Sequence, residues 1–211
     1  MKQLSIAYQL YFDDNDNYFP LDEANLGWDD KLNGYDGRNV AYNHLKTNTQ
    51  IRKSQYNAGI YACPSDDIPR LYGPDPDALT FSYSLTSFIY HIGAVTINGS
   101  ERGVTGFNWN GGFAGYTSTK ITNINKSSST LSTFEYMSEG KCLGRDWLST
   151  VNPVTFFTST ANVPHDGFDK SNYLFVDGHV ESLNAYATLT IEGGGMGTAS
   201  ATTGTMWDAH K

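Results

Sequence analysis

The chain has 211 residues, enough for one domain with its own hydrophobic core and short for two. A formal charge of −8 leaves no basic surface to neutralise phosphates, which argues against a nucleic-acid partner. Charged residues make up only 17%, so Asn, Ser, Thr, Gly and the 14 Tyr must cover much of the surface, as in extracytoplasmic β-rich proteins.

No apolar run reaches the ~20 residues that span a bilayer, and no secretory leader is visible. There are two cysteines, Cys63 and Cys142, neither in a metal-type CxxC. A disulfide between them and a pair of buried thiols both fit this pattern.

In chain order, residues 2–12 read K-Q-L-S-I-A-Y-Q-L-Y-F. Leu4, Ala7, Tyr8 and Tyr11 fall on one helical stripe, with Ile6 and Leu10 beside it. The run D-D-N-D-N over 13–17 stops the helix ahead of Pro20. Carboxylates at a helix C-terminus oppose the macrodipole. That run therefore reads either as a solvated turn or as an oxygen-rich cation site, without the Gly and distal Glu of an EF-hand loop. Short helical stretches are expected at 28–32, ended by Asn33-Gly34, and over 40–51, where His44 reads as a surface or hydrogen-bonded histidine. Residues 59–63 read as a strand ended by Pro64. Further strands are expected at 80–85, 88–97, 104–109, 120–124 and 130–136, with 154–157 preceding His165. This density of short strands and turns implies a mainly antiparallel sheet.

The most informative run is 172–183, N-Y-L-F-V-D-G-H-V-E-S-L. Asp177-Gly178 between two strand-like segments predicts a hairpin with a two-residue type I′ turn, both central residues at positive φ. That turn would set Val176 opposite His179, Phe175 opposite Val180 and Leu174 opposite Glu181. The segment 193–205, G-G-G-M-G-T-A-S-A-T-T-G-T, is a flexible loop by composition, with Met206 and Trp207 positioned to dock back on the body.

No Walker loop, dinucleotide fingerprint, HExxH or nucleophile elbow occurs. The best chemical cluster is His165, Asp166, Asp169, Asp177 and His179, whose ligand types suit a transition metal. Asp177 also has a complete structural explanation as a turn residue. A metal-dependent hydrolase built on His165, Asp177 and His179 is one reading. A carbohydrate-binding module stacking sugars on Trp28, Tyr72, Trp109 and Trp147 is another.

Several pieces match one family in the same order along the chain. They are the opening helix with its D-D-N-D-N-Y-F-P exit, W-D-D-K-L at 28–32, C-P-S-D at 63–66, S-Y-S-L at 82–85, and His165 followed by N-Y-L-F-V-D-G-H-V from residue 172. Together they resemble the prepilin-type, processing-associated proteins named for a His-x9-Asp-Gly motif, relatives of the type II secretion pseudopilin G. The motif residues are His165, Asp177, Gly178 and His179, and eleven residues here separate the His from the Asp. The resemblance implies an α+β, pilin-like fold: an N-terminal helix packed on a mainly antiparallel β-sheet with long loops. The chain would be a single head, with 1–16 the second half of the long helix, 17–192 the body and 193–211 the tail. It implies a non-enzymatic subunit of a type II secretion or type IV pilus-like system. Its partners would be other pilin-like subunits, the assembly machinery and the inner membrane, reached through a leader and apolar segment encoded ahead of Lys2. The head would lie in the periplasm or outside the cell. Relatives of the pseudopilin G type carry Ca²⁺ in the head, so the resemblance admits Ca²⁺ without assigning it ligands. His165 is expected to close onto the hairpin by hydrogen bonding rather than by metal binding.

Overall fold

The computed structural model describes residues 1–22, 26–45, 56, 59–69, 77–89, 103–107, 118–144, 150–158, 165 and 167–211. The first helix, α1 (Lys2–Asp14), forms where the apolar stripe predicts it and buries Leu4, Ala7, Tyr8, Tyr11 and Phe12. Its end is held by local polar contacts. Asn15 Nδ2 donates to the Tyr11 carbonyl at 2.8 Å, and the Asn17 amide donates to the Phe12 carbonyl at 3.0 Å. Asp16 and Asn17 take positive φ, a conformation short polar side chains tolerate. Asp13 and Asp14 thus form the exposed last residues of the helix and 15–17 a surface turn, with Asp14 accepting from the Tyr35 hydroxyl.

Three further short helices follow: α2 (Trp28–Lys31), α3 (Tyr42–Leu45) and α4 (Pro153–Thr158). The strands are β1 (Tyr83–Ile89), β2 (Thr105–Phe107), β3 (Leu131–Glu135), β4 (Thr150–Val151), β5 (Ser171–Phe175) and β6 (Val180–Leu183). They form one mostly antiparallel sheet in the order β2-β1-β3-β5-β6, with β4 paired to β1. Among the described residues only the β1–β2 and β1–β4 pairings are parallel. The class is mixed α+β with few helices. Two expected strands are 3₁₀ turns instead, Gly59–Tyr61 and Ile121–Asn123. The segment 154–157 lies inside α4, which follows Pro153; the fixed φ of proline suits a first helical turn. The strand expected over 88–97 is described only to Ile89, and 46–51 of the expected second helix lies outside the described residues.

The central strand β3 is buried on both faces, at apolar and polar positions alike, whereas the edge strand β6 is half-buried or exposed along its length. On one face α1 supplies Leu4, Tyr8 and Phe12, which pack with Trp28, Phe81, Leu85, Leu174 and Val176. Tyr8 also reaches through to the sheet, its hydroxyl 3.0 Å from Thr133 Oγ1. On the other face Phe134, Tyr173 and Phe175 pack with Phe156 of α4, Leu189 and Trp207. A register shift between Leu131 and Thr133 lets Leu131 join Phe134 on that second face.

The tail from 193 on is not the loose loop its composition suggests. Gly193, Gly194 and Gly195 take positive φ, and the chain folds back through bridges Thr190–Met196 and Thr198–Ala201. Trp207 closes it, packing edge-on to Phe134 at 4.9 Å and donating its indole N–H to Thr188 Oγ1 at 2.8 Å.

The hairpin forms, but its turn differs from the expected one. The Phe175 amide donates to the His179 carbonyl at 2.9 Å and the Gly178 amide to the Phe175 carbonyl at 3.0 Å. The loop is therefore three residues, Val176-Asp177-Gly178, and Leu174 faces Val180 rather than Glu181. Only Gly178 takes positive φ, at +91°, as in the three-residue hairpin loop with a left-handed closing residue. The register shifts by one from the expected pairing. The gain is visible: Leu174 and Val180 share the α1 face, and Phe175 stacks on the His179 ring at 4.2 Å.

Candidate functional site

The period-2 alternation of the strands builds the site. Thr133 points at α1, so Glu135, two residues on, shares that face at the end of β3. Tyr83 is its partner on β1, while Asn172 and Val180 come from β5 and β6. Met1, Lys2, Cys63, Pro64, Ser65 and His165 complete the wall of an open cleft of about 420 Å³ beside the start of α1.

Three side chains converge there. His165 Nε2 lies 3.6 Å from Cys63 Sγ and 3.5 Å from Glu135 Oε1. One ligand-type atom from each of the three lies within 4.8 Å of the other two. His165 takes a positive φ of 58°, a backbone state that a histidine adopts at a cost, and its side chain is 28% exposed. Glu135 is buried and fixed by β5: Oε2 accepts the Asn172 amide at 2.8 Å, and Oε1 accepts Asn172 Nδ2 at 3.0 Å. Burial pushes the Cys63 thiol up to about 11; the Ser65 amide opposes this and Glu135 adds to it.

The loop that carries Cys63 is itself braced. The Cys63 amide donates to Ser82 Oγ at 2.9 Å, Ser82 Oγ donates to Asp66 Oδ2 at 2.6 Å, and the Asp66 amide donates to the Cys63 carbonyl. C-P-S-D, S-Y-S-L and His165 thus meet at one place, although 102 positions separate Cys63 from His165.

The other motif residues lie elsewhere. Asp177 pairs with His179, Oδ1 to Nδ1 at 2.6 Å, and also accepts the His179 amide at 3.1 Å. Asn172, which shares Glu135 with His165, is five residues from Asp177 along the hairpin, up to roughly 16 Å at ~3.3 Å per residue. The structure therefore splits the set His165, Asp177 and His179: the first faces Cys63 and Glu135, and the other two brace the turn. Asp169 meets Asn184, and Asp166 lies outside the described residues. His165 reaches the hairpin through Glu135, which Asn172 holds. Cys63 and Cys142 are not bonded to each other. The Cys63 thiol faces His165, whereas Cys142 sits in a bridge with Thr80.

Trp28 cannot stack on a sugar. It is fully buried among Tyr8, Tyr61 and Phe81. Tyr72, Trp109 and Trp147 lie outside the described residues.

Two buried polar groups carry no signal strong enough to find in sequence. Around α2, Arg38 is buried and donates to Asp36, the Asp29 carbonyl and Tyr61. Burial works against its charge, but Tyr61, Asp29 and Asp36 outweigh it and hold the proton. Asp30 accepts the Gly27 amide at 3.0 Å; burial, and then the neighbouring Asp29, push its carboxyl up to about 9. Lys141, also buried, donates to the carbonyls of Tyr83 and Tyr136 and to Ser84 Oγ at 2.6–2.8 Å, tying the β1 and β3 ends together. The Cys63–Glu135–His165 cluster escapes sequence reading because its members are far apart. Its one local signal is Glu135 itself, an acid between the core aromatics Phe134 and Tyr136.

No family model, no curated protein and no solved structure matches the chain.

Proposed function

We propose that the chain is a non-enzymatic, pilin-like structural subunit, the head of a pseudopilin in a type II secretion or type IV pilus-like assembly. The observation that carries this reading is the division of α1. One face packs into the core across the sheet, while Ile6 and Leu10, one turn apart, stand 61% and 48% exposed. Two large apolar side chains side by side on an outward helix face fit a surface that a partner covers. The convergence of the C-P-S-D turn, the S-Y-S-L strand and His165 adds support, since landmarks named in order along the chain also form one braced unit.

On this reading the partners are other pilin-like subunits and the assembly machinery, and the head lies outside the cytoplasm, tethered to the inner membrane. Among the described residues no helix is long and apolar enough to cross a membrane.

The test is fractionation of the full-length protein from its native cells. The reading expects it with the inner membrane and in high-mass assemblies, its head open to external protease after outer-membrane permeabilisation. A monomer in the cytosolic fraction would overturn it.

A further inference from the structure

We propose that Cys63, Glu135 and His165 form a binding site for one divalent transition metal of the Zn²⁺ class, with its fourth coordination position open to the cleft. This site is independent of the filament reading.

The donor set is one thiolate, one imidazole and one carboxylate. A sulfur ligand selects against hard cations such as Ca²⁺ and Mg²⁺, and the mixed set suits Zn²⁺. The spacing fits as well. Metal–ligand bonds of ~2.0–2.3 Å in a tetrahedron put ligand atoms roughly 3.3–3.8 Å apart. Two edges, Cys63 Sγ to His165 Nε2 and His165 Nε2 to Glu135 Oε1, are 3.6 and 3.5 Å, and the third, Cys63 to Glu135, is no more than 4.8 Å. An ion can thus enter with little side-chain movement; the thiol proton leaves to solvent as the metal–sulfur bond forms.

The supporting shell is present. Asn172 holds the Glu135 carboxylate through both its backbone and side-chain N–H groups, and the Ser65 amide faces the sulfur. The Cys63 turn is in turn locked by Ser82 and Asp66. Three protein ligands beside a cleft of about 420 Å³ leave room for a water or a small ligand on the metal. The three groups come from distant parts of the chain, so an ion here also clips the C-P-S-D turn and the His165 loop to β3. The positive φ of His165 is the conformation that aims its ring at the other two.

The experiment is Co²⁺ titration of the reduced, chelator-stripped full chain, followed by displacement with Zn²⁺. One equivalent should bind, with a sulfur-to-cobalt charge-transfer band and visible bands of tetrahedral intensity, and Zn²⁺ should bleach them and raise the melting temperature. Cys63→Ser should abolish the charge-transfer band. His165→Ala, at a partly exposed loop position that the fold tolerates, should weaken Co²⁺ binding at least tenfold while leaving the circular dichroism spectrum unchanged. Absence of the sulfur–cobalt band in the unmodified chain would overturn the proposal. So would unchanged affinity in folded His165→Ala.

Discussion

Gly178 is the residue on which the hairpin turns. Its φ of +91° is costly for any side chain, and a Cβ there would sit 2.5 Å from Ser5 Oγ of α1. Gly178→Ala should therefore destabilise the protein by about 1–3 kcal/mol, read from denaturant midpoints; an unchanged midpoint would show that the turn relaxes freely. The Asp-Gly pair announces this turn in the sequence, but not its length. Asp177 takes part through its side chain, accepting from His179, and leaves the positive φ to Gly178 alone. Asp30 gives a pH signature. Unfolded, it titrates near ~3.9; folded, its carboxyl is pushed up to about 9. Between those values the folded state keeps a proton that the unfolded state has lost. Stability should fall as pH rises through that window, by up to about 1.4 kcal/mol per unit, and level off on either side. Denaturation of Asp30→Asn across the same range should give a flatter profile than the wild type, and parallel profiles would contradict the assignment. Nothing in W-D-D-K-L signals that two adjacent acids are buried, because the compensating Arg38 lies outside the motif.

At the scale of elements, α1 is legible because its 3.6-residue period separates the buried stripe from Ile6 and Leu10. The two faces should respond differently to substitution. Leu4→Ala should cost about 2–5 kcal/mol through lost contacts and a cavity. Ile6→Ser should stay within about 0.5 kcal/mol in the isolated head, since that side chain is mostly exposed there. Equal costs in thermal unfolding would mean that the helix packs otherwise. The sheet is less legible. Its central strand β3 is covered on both faces, so alternation is blurred there, and segments with strand composition at 59–63 and 120–124 become 3₁₀ turns where backbone bonds close locally. The tail is misread for a related reason. Gly and Thr carry little packing signal, yet Trp207 fixes the segment by filling the core beside Phe134 and Phe156. Trp207→Ala should cost about 3–5 kcal/mol and expose the tail to protease; a melting temperature close to that of the wild type would refute this anchoring role.

For the whole molecule, the architecture is a sheet between two apolar layers, with α1 on one side and the tail with α4 on the other. The cleft with Cys63, Glu135 and His165 lies at the start of α1, so the helix that would meet a neighbour also borders the polar cluster. The mixed α+β class was readable from the chain; the meeting of residues 63, 135 and 165 was not, because they come from three distant segments, of which only Glu135 lies on a strand. The central claim is that the Ile6–Leu10 face of α1 is an assembly surface. The most direct test places a cysteine at Ile6 or Leu10 of the full-length protein and applies a short bifunctional maleimide to producing cells. Cys142 is buried and Cys63 borders the open cleft, so the test is run in a Cys63→Ser background. Ile6→Cys and Leu10→Cys should give cross-linked dimers and higher species, and Tyr186→Cys, an exposed position on the opposite layer, should give none. Monomer alone from both α1 variants would contradict it.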